Sequence, residues 1–170
     1  GGATETFSYV ATDGTNQDTG SAGTIAISIN AVDDTPPVEV NDAATINEGA
    51  TSSNLNILDN DTDSPDNGSL SVYSVGGTAF ASLTASTDTT YTSGDGYKQV
   101  AGTYGTLYIK ADGTSFYVHD GDDDGGATET FSYVATDGTN QDTGSAGTIA
   151  ISINAVDDTP PVEVNDAATI

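Results

Sequence analysis

The run Asp59-Asn60-Asp61-Thr62-Asp63-Ser64-Pro65-Asp66 sets carboxylates at alternate positions, with Asp66 close behind. Such a loop can converge on one hard cation that takes six to eight oxygen ligands, and calcium is the natural ion for it. Asp and Asn also make turns, but this many close carboxylates repel one another unless something cationic joins them. An EF-hand is excluded, because with Asp59 at position 1 Ser64 falls where Gly is needed and Leu70 where the bidentate Glu belongs. Gly-Gly pairs at 1, 76 and 125 are not followed by the G-G-x-G-x-D pattern of calcium-binding nonapeptides. Two further acidic groups are candidates. Asp33 and Asp34, repeated as Asp157 and Asp158, lie ahead of Asn41, Asp42 and Glu48 across a Pro-Pro pair. Asp120, Asp122, Asp123 and Asp124 form the third, which the expected fold brings toward the Asp13-Gly14 or Asp137-Gly138 turn, with Glu5 or Glu129 nearby.

No catalytic constellation assembles. There is no Cys and one His, and no GxSxG, HExxH or phosphate loop. His119 shares a strand face with Tyr117, the more polar face, and reads as a structural residue. Carboxylate pairs suited to glycosidase chemistry are present, but with every loop acidic they discriminate nothing. Tyr73, Tyr91, Tyr97, Tyr104, Tyr108 and Tyr117 are numerous enough to offer glycans a stacking surface, against the plainer reading of cross-strand packing on a sheet. Asn60-Asp61-Thr62 and Asn67-Gly68-Ser69 are glycosylation sequons.

Gly1 to Ile46 recur without a change as Gly125 to Ile170, a period of 124 residues. The chain therefore reads as a window of a tandem array that begins and ends inside a repeat. Residues 1 to 124 carry nineteen acids against Lys98 and Lys110, a net charge of −17. That excludes nucleic acid as a partner and calls for cations or high salt to screen the self-repulsion. Without Cys, a secreted module has neither disulfides nor thiolate metal sites. No stretch is long and apolar enough to cross a membrane as a helix.

Period-two alternation marks the strands: Ile25, Ile27 and Ile29 with their copies Ile149, Ile151 and Ile153, then Leu55 and Ile57, Leu70 and Val72, Leu107 and Ile109, Phe116 and Val118, and Phe131 and Tyr133. Asp112-Gly113 predicts a tight hairpin between Ile109 and Phe116. About seven strands per period predict an all-β, immunoglobulin-like sandwich. The stretch Gly76 to Thr103 fits as an extra hairpin or a long loop. Pro36-Pro37 set the phase: residues 1–35 are the last strands of one repeat, 36–159 a complete repeat, and 160–170 the first strand of a third. A free two-stranded piece is marginal in water and needs a partner.

The segments ATINEGATSSNLNILDNDTDSPDNGSLSVYSV, GTYGTLYIKADGTSFYVHD, ATETFSYVATDGT and GTIAISINAVDDTPPV, in that order, resemble the VCBS and bacterial cadherin-like repeats of large surface adhesins. The likeness covers nearly the whole period. It implies a cadherin-like sandwich that extends a bacterial surface or secreted adhesin, partnered by adjacent identical repeats, with a role in adhesion and biofilm. It also implies calcium at the junction formed by Asp33, Asp34, Asp157 and Asp158 with Asp42 and Glu48. A filament subunit joined by strand complementation and a carbohydrate-binding module remain rival expectations.

Overall fold

The computed structural model describes residues 2–30, 32–33, 35–65, 67–142, 144–157 and 162. The strands are β1 (Ala3–Tyr9), β2 (Gly23–Ile29), β3 (Asp42–Asn47), β4 (Ser71–Val75), β5 (Thr78–Ala79), β6 (Thr84–Ala85), β7 (Lys98–Ala101), β8 (Gly105–Ile109), β9 (Ser115–His119), β10 (Thr128–Thr136) and β11 (Gly147–Asn154). They form an all-β protein whose main body is two facing sheets, one ordered β3-β11-β10-β4-β5 and the other β6-β7-β8-β9. β1 and β2 make a separate two-stranded sheet. Among the described residues no helix is long and apolar enough to cross a membrane.

β-Branched residues at every second position drive the central strands. Ile149, Ile151 and Ile153 of β11 all point inward and are fully or almost fully buried, as are Phe131 and Tyr133 of β10. They pack with Val72 and Val75 of β4 and Ile46 of β3 against Leu107, Ile109 and Tyr117 of the opposite sheet. β10 and β11 pair antiparallel, while β11 and β3 pair in parallel, Ile149 beside Asp42 and Asn154 beside Asn47. The sandwich therefore has two distinct ends. Asp42 and the close of β10 lie at one, which we term the entry pole; Asn47, Asn154 and the start of β10 lie at the other, the exit pole.

The Asp112-Gly113 hairpin forms as expected. Gly113 donates its N–H to the Lys110 carbonyl and Thr114 donates to Asp112 Oδ1 at 3.0 Å. Glycine is required there, since φ is +86° and an added Cβ would stand 2.8 Å from Leu58 Cγ.

Three expectations are corrected. In β9 the inward face is Ser115, Tyr117 and His119, not Phe116 and Val118. The register of the hairpin, Leu107 opposite Tyr117 and Ile109 opposite Ser115, fixes this once Leu107 and Ile109 are buried. Phe116 sits on the outer face, where Tyr91 from the Gly76–Thr103 stretch stacks on it at 4.8 Å and on Tyr108 at 5.1 Å. That stretch is neither one hairpin nor a plain loop. It supplies β5 to one sheet and β6 and β7 to the other, with short 3-10 turns at Phe80–Ser82 and Ser93–Asp95. Finally, Leu55 and Ile57 belong to no strand among the described residues. Ile57 is nonetheless fully buried, and the two N–H groups donate to Ser115 and Gly113 carbonyls.

The hairpin β1–β2 has the sequence and register of β10–β11, Phe7 opposite Ile25 and Glu5 opposite Ile27. Its environment is the opposite one: Ile27 is 46% exposed and Ile151 0%, Tyr9 53% and Tyr133 1%. Expected strand 160–170 lies outside the described residues apart from Val162.

This contrast yields a paired test. Ile151→Ala should lower stability by about 2–5 kcal/mol through the lost burial and residual cavity. Ile27→Ala, the same change in the same local sequence, should move it by less than about 0.5 kcal/mol. Urea midpoints of the two variants decide; equal losses would contradict the assignment of the core.

Candidate metal centres

The entry pole gathers carboxylates around one hydroxyl. Tyr133 reaches from β10 through the core, and its oxygen lies 2.9 and 3.1 Å from the two oxygens of Asp61, 3.0 Å from the Ile57 carbonyl and 3.1 Å from that of Val40. A phenol has one hydrogen to donate, so four acceptors compete for it. The Val40 N–H supplies one more donor to Asp61 at 2.8 Å. Asp42, at the start of β3, takes the Asn60 amide at 3.3 Å and lies near enough to the Tyr133 hydroxyl for that group to lower its proton affinity, while its second oxygen is buried without a partner.

Excess acceptors raise the proton affinity of the group. Burial, helped by the charge of Asp61, pushes the Asp42 carboxyl up to about 6. Burial also raises Asp61. Glu39 moves the same way for the same reason, with Asp142 and Asp61 adding repulsion against the lowering effect of the Ala135 N–H that it accepts. Asp59 contributes to the repulsion on Asp42 while accepting from the Asn56 amide.

The alternating aspartates do not all meet. Asp63 is buried on a different side of the loop, where Gly68 donates to it and its other oxygen has no partner. A Cβ on Gly68 would come within 2.7 Å of Asp63 Oδ2 and 2.9 Å of Asp137 Cβ, so the two acidic side chains flank that glycine. Asp137 Oδ1 accepts the Thr139 and Asn140 N–H groups, and its Oδ2 is buried and unpartnered. Those two N–H bonds, that of Asn140 foremost, hold its carboxyl below the usual range. Asn140 also donates its amide to Asp33 Oδ1 at 3.1 Å. Asp33, Asp63 and Asp137 thus belong to one neighbourhood, and Asp42, Asp59 and Asp61 to another at the same pole. Asp34, Asp66 and Asp158 lie outside the described residues.

The exit pole holds the rest. Glu48 accepts the Val156 N–H at 2.6 Å, which draws its carboxyl downward and ties the end of β3 to the chain leaving β11. Ligand atoms of His119, Asp120 and Asp124 lie within 4.8 Å of one another. Burial and then the neighbouring Asp120 raise Asp124, with Asp122 and Glu48 adding to it. His119 Nδ1 accepts N–H groups from Gly49 at 3.2 Å and Gly121 at 2.9 Å. An Nδ1 used in this way places the hydrogen on Nε2, so neither nitrogen has a lone pair for a metal. His119 holds the loop, which leaves Asp120 and Asp124 as the candidate ligands of this cluster. Asp122 and Asp157 are exposed at this pole.

The expected approach of Asp120 and Asp122 to Asp137 is corrected. Asp124 precedes β10 and Asp137 follows it, and a nine-residue strand between them spans about 30 Å. Glu129 is likewise no ligand in this arrangement: its Oε2 accepts the Thr103 and Tyr104 N–H groups at 2.5 and 2.9 Å from within the core. Glu39 and Tyr133 are participants that the sequence reading missed. Their role depends on which strand ends share a pole, and only Glu39's proximity to Asp42 hinted at it.

Part of the tyrosine set packs on itself: Tyr91 stacks on the cross-strand neighbours Tyr108 and Phe116, with Tyr97 at its edge, while Tyr73 is 41% exposed. No protein-family model and no curated protein matches this chain.

With divalent cations removed, acidification should stabilise the fold. Between its ordinary 3.8 and its folded value of about 6, Asp42 binds more protons in the folded than in the unfolded state. Stability therefore falls as pH rises through that window and is regained on the way down. The lowered carboxyls, among them Asp13, Asp112, Asp137 and Asp142 with an ordinary value of 3.8 and Glu48 with one of 4.5, oppose it mainly below those values. Urea midpoints at pH 7 and pH 5 in chelator should rise toward pH 5, with most of the rise lost in Asp42→Asn. A level or falling midpoint in the parent chain would contradict the crowding described above.

Proposed function

We propose that this chain is a non-enzymatic, calcium-stiffened extender of a tandemly repeated extracellular protein, in the manner of the VCBS and cadherin-like repeats it resembles, projecting a distal binding domain from a bacterial surface in adhesion and biofilm. The observation that carries this reading is the parallel pairing of the first and last strands of the sandwich. It sends the chain in at one pole and out at the other, so successive copies of the 124-residue repeat line up end to end. Each then adds on the order of 40 Å, a strand of eight to nine residues plus loops.

The acidic groups fall where such an array needs them. Glu48, Asp120 and Asp124 of one module and Asp42, Asp61 and Asp137 of the next would face each other across the Pro-Pro joint. Cations held there replace a flexible hinge by a rigid one and relieve a net charge of −17 per repeat. Oxygen-only donors suit calcium. Identical neighbouring repeats are the partners, and the stacked tyrosines support a packing role over a glycan-binding one.

Thermal or urea unfolding in 10 mM calcium and in chelator tests the proposal. Sites of about 10⁻⁴ to 10⁻³ M affinity, the range of extracellular modules, should add about 1.4–2.7 kcal/mol each. Asp61→Asn should reduce the gain. An identical transition with and without calcium would remove the metal from this account.

A further inference from the structure

We infer that the flank of the sandwich beside the first half of β10 takes up an extended peptide of another protein, which adds to the sheet as a strand and sets a Lys or Arg side chain against Glu129. β10 is paired with β11 along Thr128–Tyr133, but β4 accompanies it only over Tyr133–Thr136. The last bond to that side runs from the Gly76 N–H to the Ser132 carbonyl at 2.8 Å, after which β5 folds back along β4. Alternate residues of a strand turn their backbone groups to the same edge, so Thr130, like Ser132, directs its N–H and carbonyl away from β11. Neither group of Thr130 has a partner among the described residues. Half of β10 is thus an open edge, and an open edge is a template for a further strand.

A cavity of about 470 Å³ lies along that edge. Val75, Leu83, Val100 and Phe131 give it apolar walls, and Glu129, 7% exposed, stands in its lining. Glu129 Oε2 is committed, accepting the Thr103 and Tyr104 N–H groups at 2.5 and 2.9 Å. Oε1 accepts no hydrogen bond from the described residues, and unlike Asp63 Oδ1 and Asp137 Oδ2 it is not sealed from solvent. A free carboxylate oxygen in an apolar cavity is matched by a cation on an aliphatic stem, whose methylenes cover the walls while its charge meets the oxygen.

Strand geometry brings the two together. Glu129 and Phe131 point inward and Thr130 outward. On a strand added beside β10, the residues opposite Glu129 and Phe131 also point inward, with Cβ atoms about 4.5–5.5 Å from theirs. A basic residue opposite Glu129 and an apolar one opposite Phe131, with one residue of any kind between them, satisfy the site. Its lining comes entirely from residues between Val75 and Ser132, inside one repeat. The chain leaves β11 on the other side of the sheet, where Val156 donates to Glu48 at the end of β3. The cavity is therefore a feature of the complete repeat and recurs with it.

A second copy of this chain does not supply the occupant. Its lysines are Lys98, held within β7 opposite Ile109, and Lys110, which pairs with Asp112 at 3.3 Å and lies over the Tyr97 ring, and it has no other Lys or Arg. The partner is a different, basic protein, which a net charge of −24 draws in from a distance. No metal ion is needed for this contact, so it stands apart from the calcium reading.

The test titrates the isotope-labelled 170-residue chain in about 0.3 M NaCl, which screens unspecific attraction. The probes are the capped peptides Thr-Lys-Thr-Val-Thr and Thr-Val-Thr-Lys-Thr, which present the pattern in the two strand directions. At least one should shift the Thr130 amide signal saturably. Norleucine in place of the peptide's Lys should weaken binding by at least about tenfold. Glu129→Gln, which keeps an acceptor for the Thr103 and Tyr104 N–H groups, should do the same, and Thr130→Pro, which removes an N–H that β11 does not use, should abolish binding. Failure of both peptides to bind, or a norleucine peptide that binds as tightly, would overturn the inference. Equal binding by butylammonium alone would overturn the added strand.

Discussion

The pairing of β3 with β11 is the contact on which the rest of this architecture turns. It joins residues more than a hundred apart in sequence, Asp42 beside Ile149 and Asn47 beside Asn154, and it runs in parallel. Parallel neighbours cannot be joined by a tight turn, so the intervening chain must build everything else: four strands of one sheet, the rest of the other and the loops at both ends. Direction follows from it as well. With antiparallel first and last strands the chain would enter and leave at the same pole.

The two hairpins separate what local sequence dictates from what it leaves to its surroundings. Alternation of Ile with small or polar residues is enough to set the strands and their register in both copies. Burial is not local, because the same Ile is 46% exposed in one copy and 0% in the other. The sheet that covers β10–β11 decides, and the lone Glu in the apolar face records what that cover must supply. A carboxylate there is tolerable only where two backbone N–H groups meet it.

Much of the fold was legible for this reason, and the misreadings have the same origin. Leu107 and Ile109 were read correctly because one face of their strand is apolar and the other is not. β9 carries Phe116 and Val118 on one face and Tyr117 on the other, and alternation alone cannot say which is inward. The answer lies in the cross-strand register and in Tyr91, which covers Phe116 from a segment whose own pattern is weak. Ile57 shows the converse, a fully buried residue whose segment makes backbone bonds to β9 without forming a regular strand. At the site, the acidic run was visible but its division was not. Asp61 turns to Tyr133 and Asp63 to Gly68 and Asp137, a separation set by contacts across some seventy residues of sequence.

Acidic residues in this chain fall into two physical kinds. Asp13, Asp137 and Asp142 each accept backbone N–H groups two or three residues ahead, and those bonds draw their carboxyls down. Such residues are at ease as anions, and Asp13 shows that the turn needs no sandwich around it, since it forms the same bonds on the exposed hairpin. Asp42, Asp61, Glu39 and Asp124 are the other kind, drawn upward by burial and by one another. Turn formation accounts for the first set; in the second, burial outweighs the few donors present, the Val40 N–H and Tyr133 hydroxyl at Asp61, the Ala135 N–H at Glu39 and the Asn60 amide at Asp42. Asp137 stays with the first kind, although only one of its oxygens is committed to the turn and the other is buried without a partner. A dense acidic composition is therefore not evidence of metal sites by itself. What distinguishes a candidate is a carboxylate held where hydrogens are too few, and the two poles are where the fold has placed those.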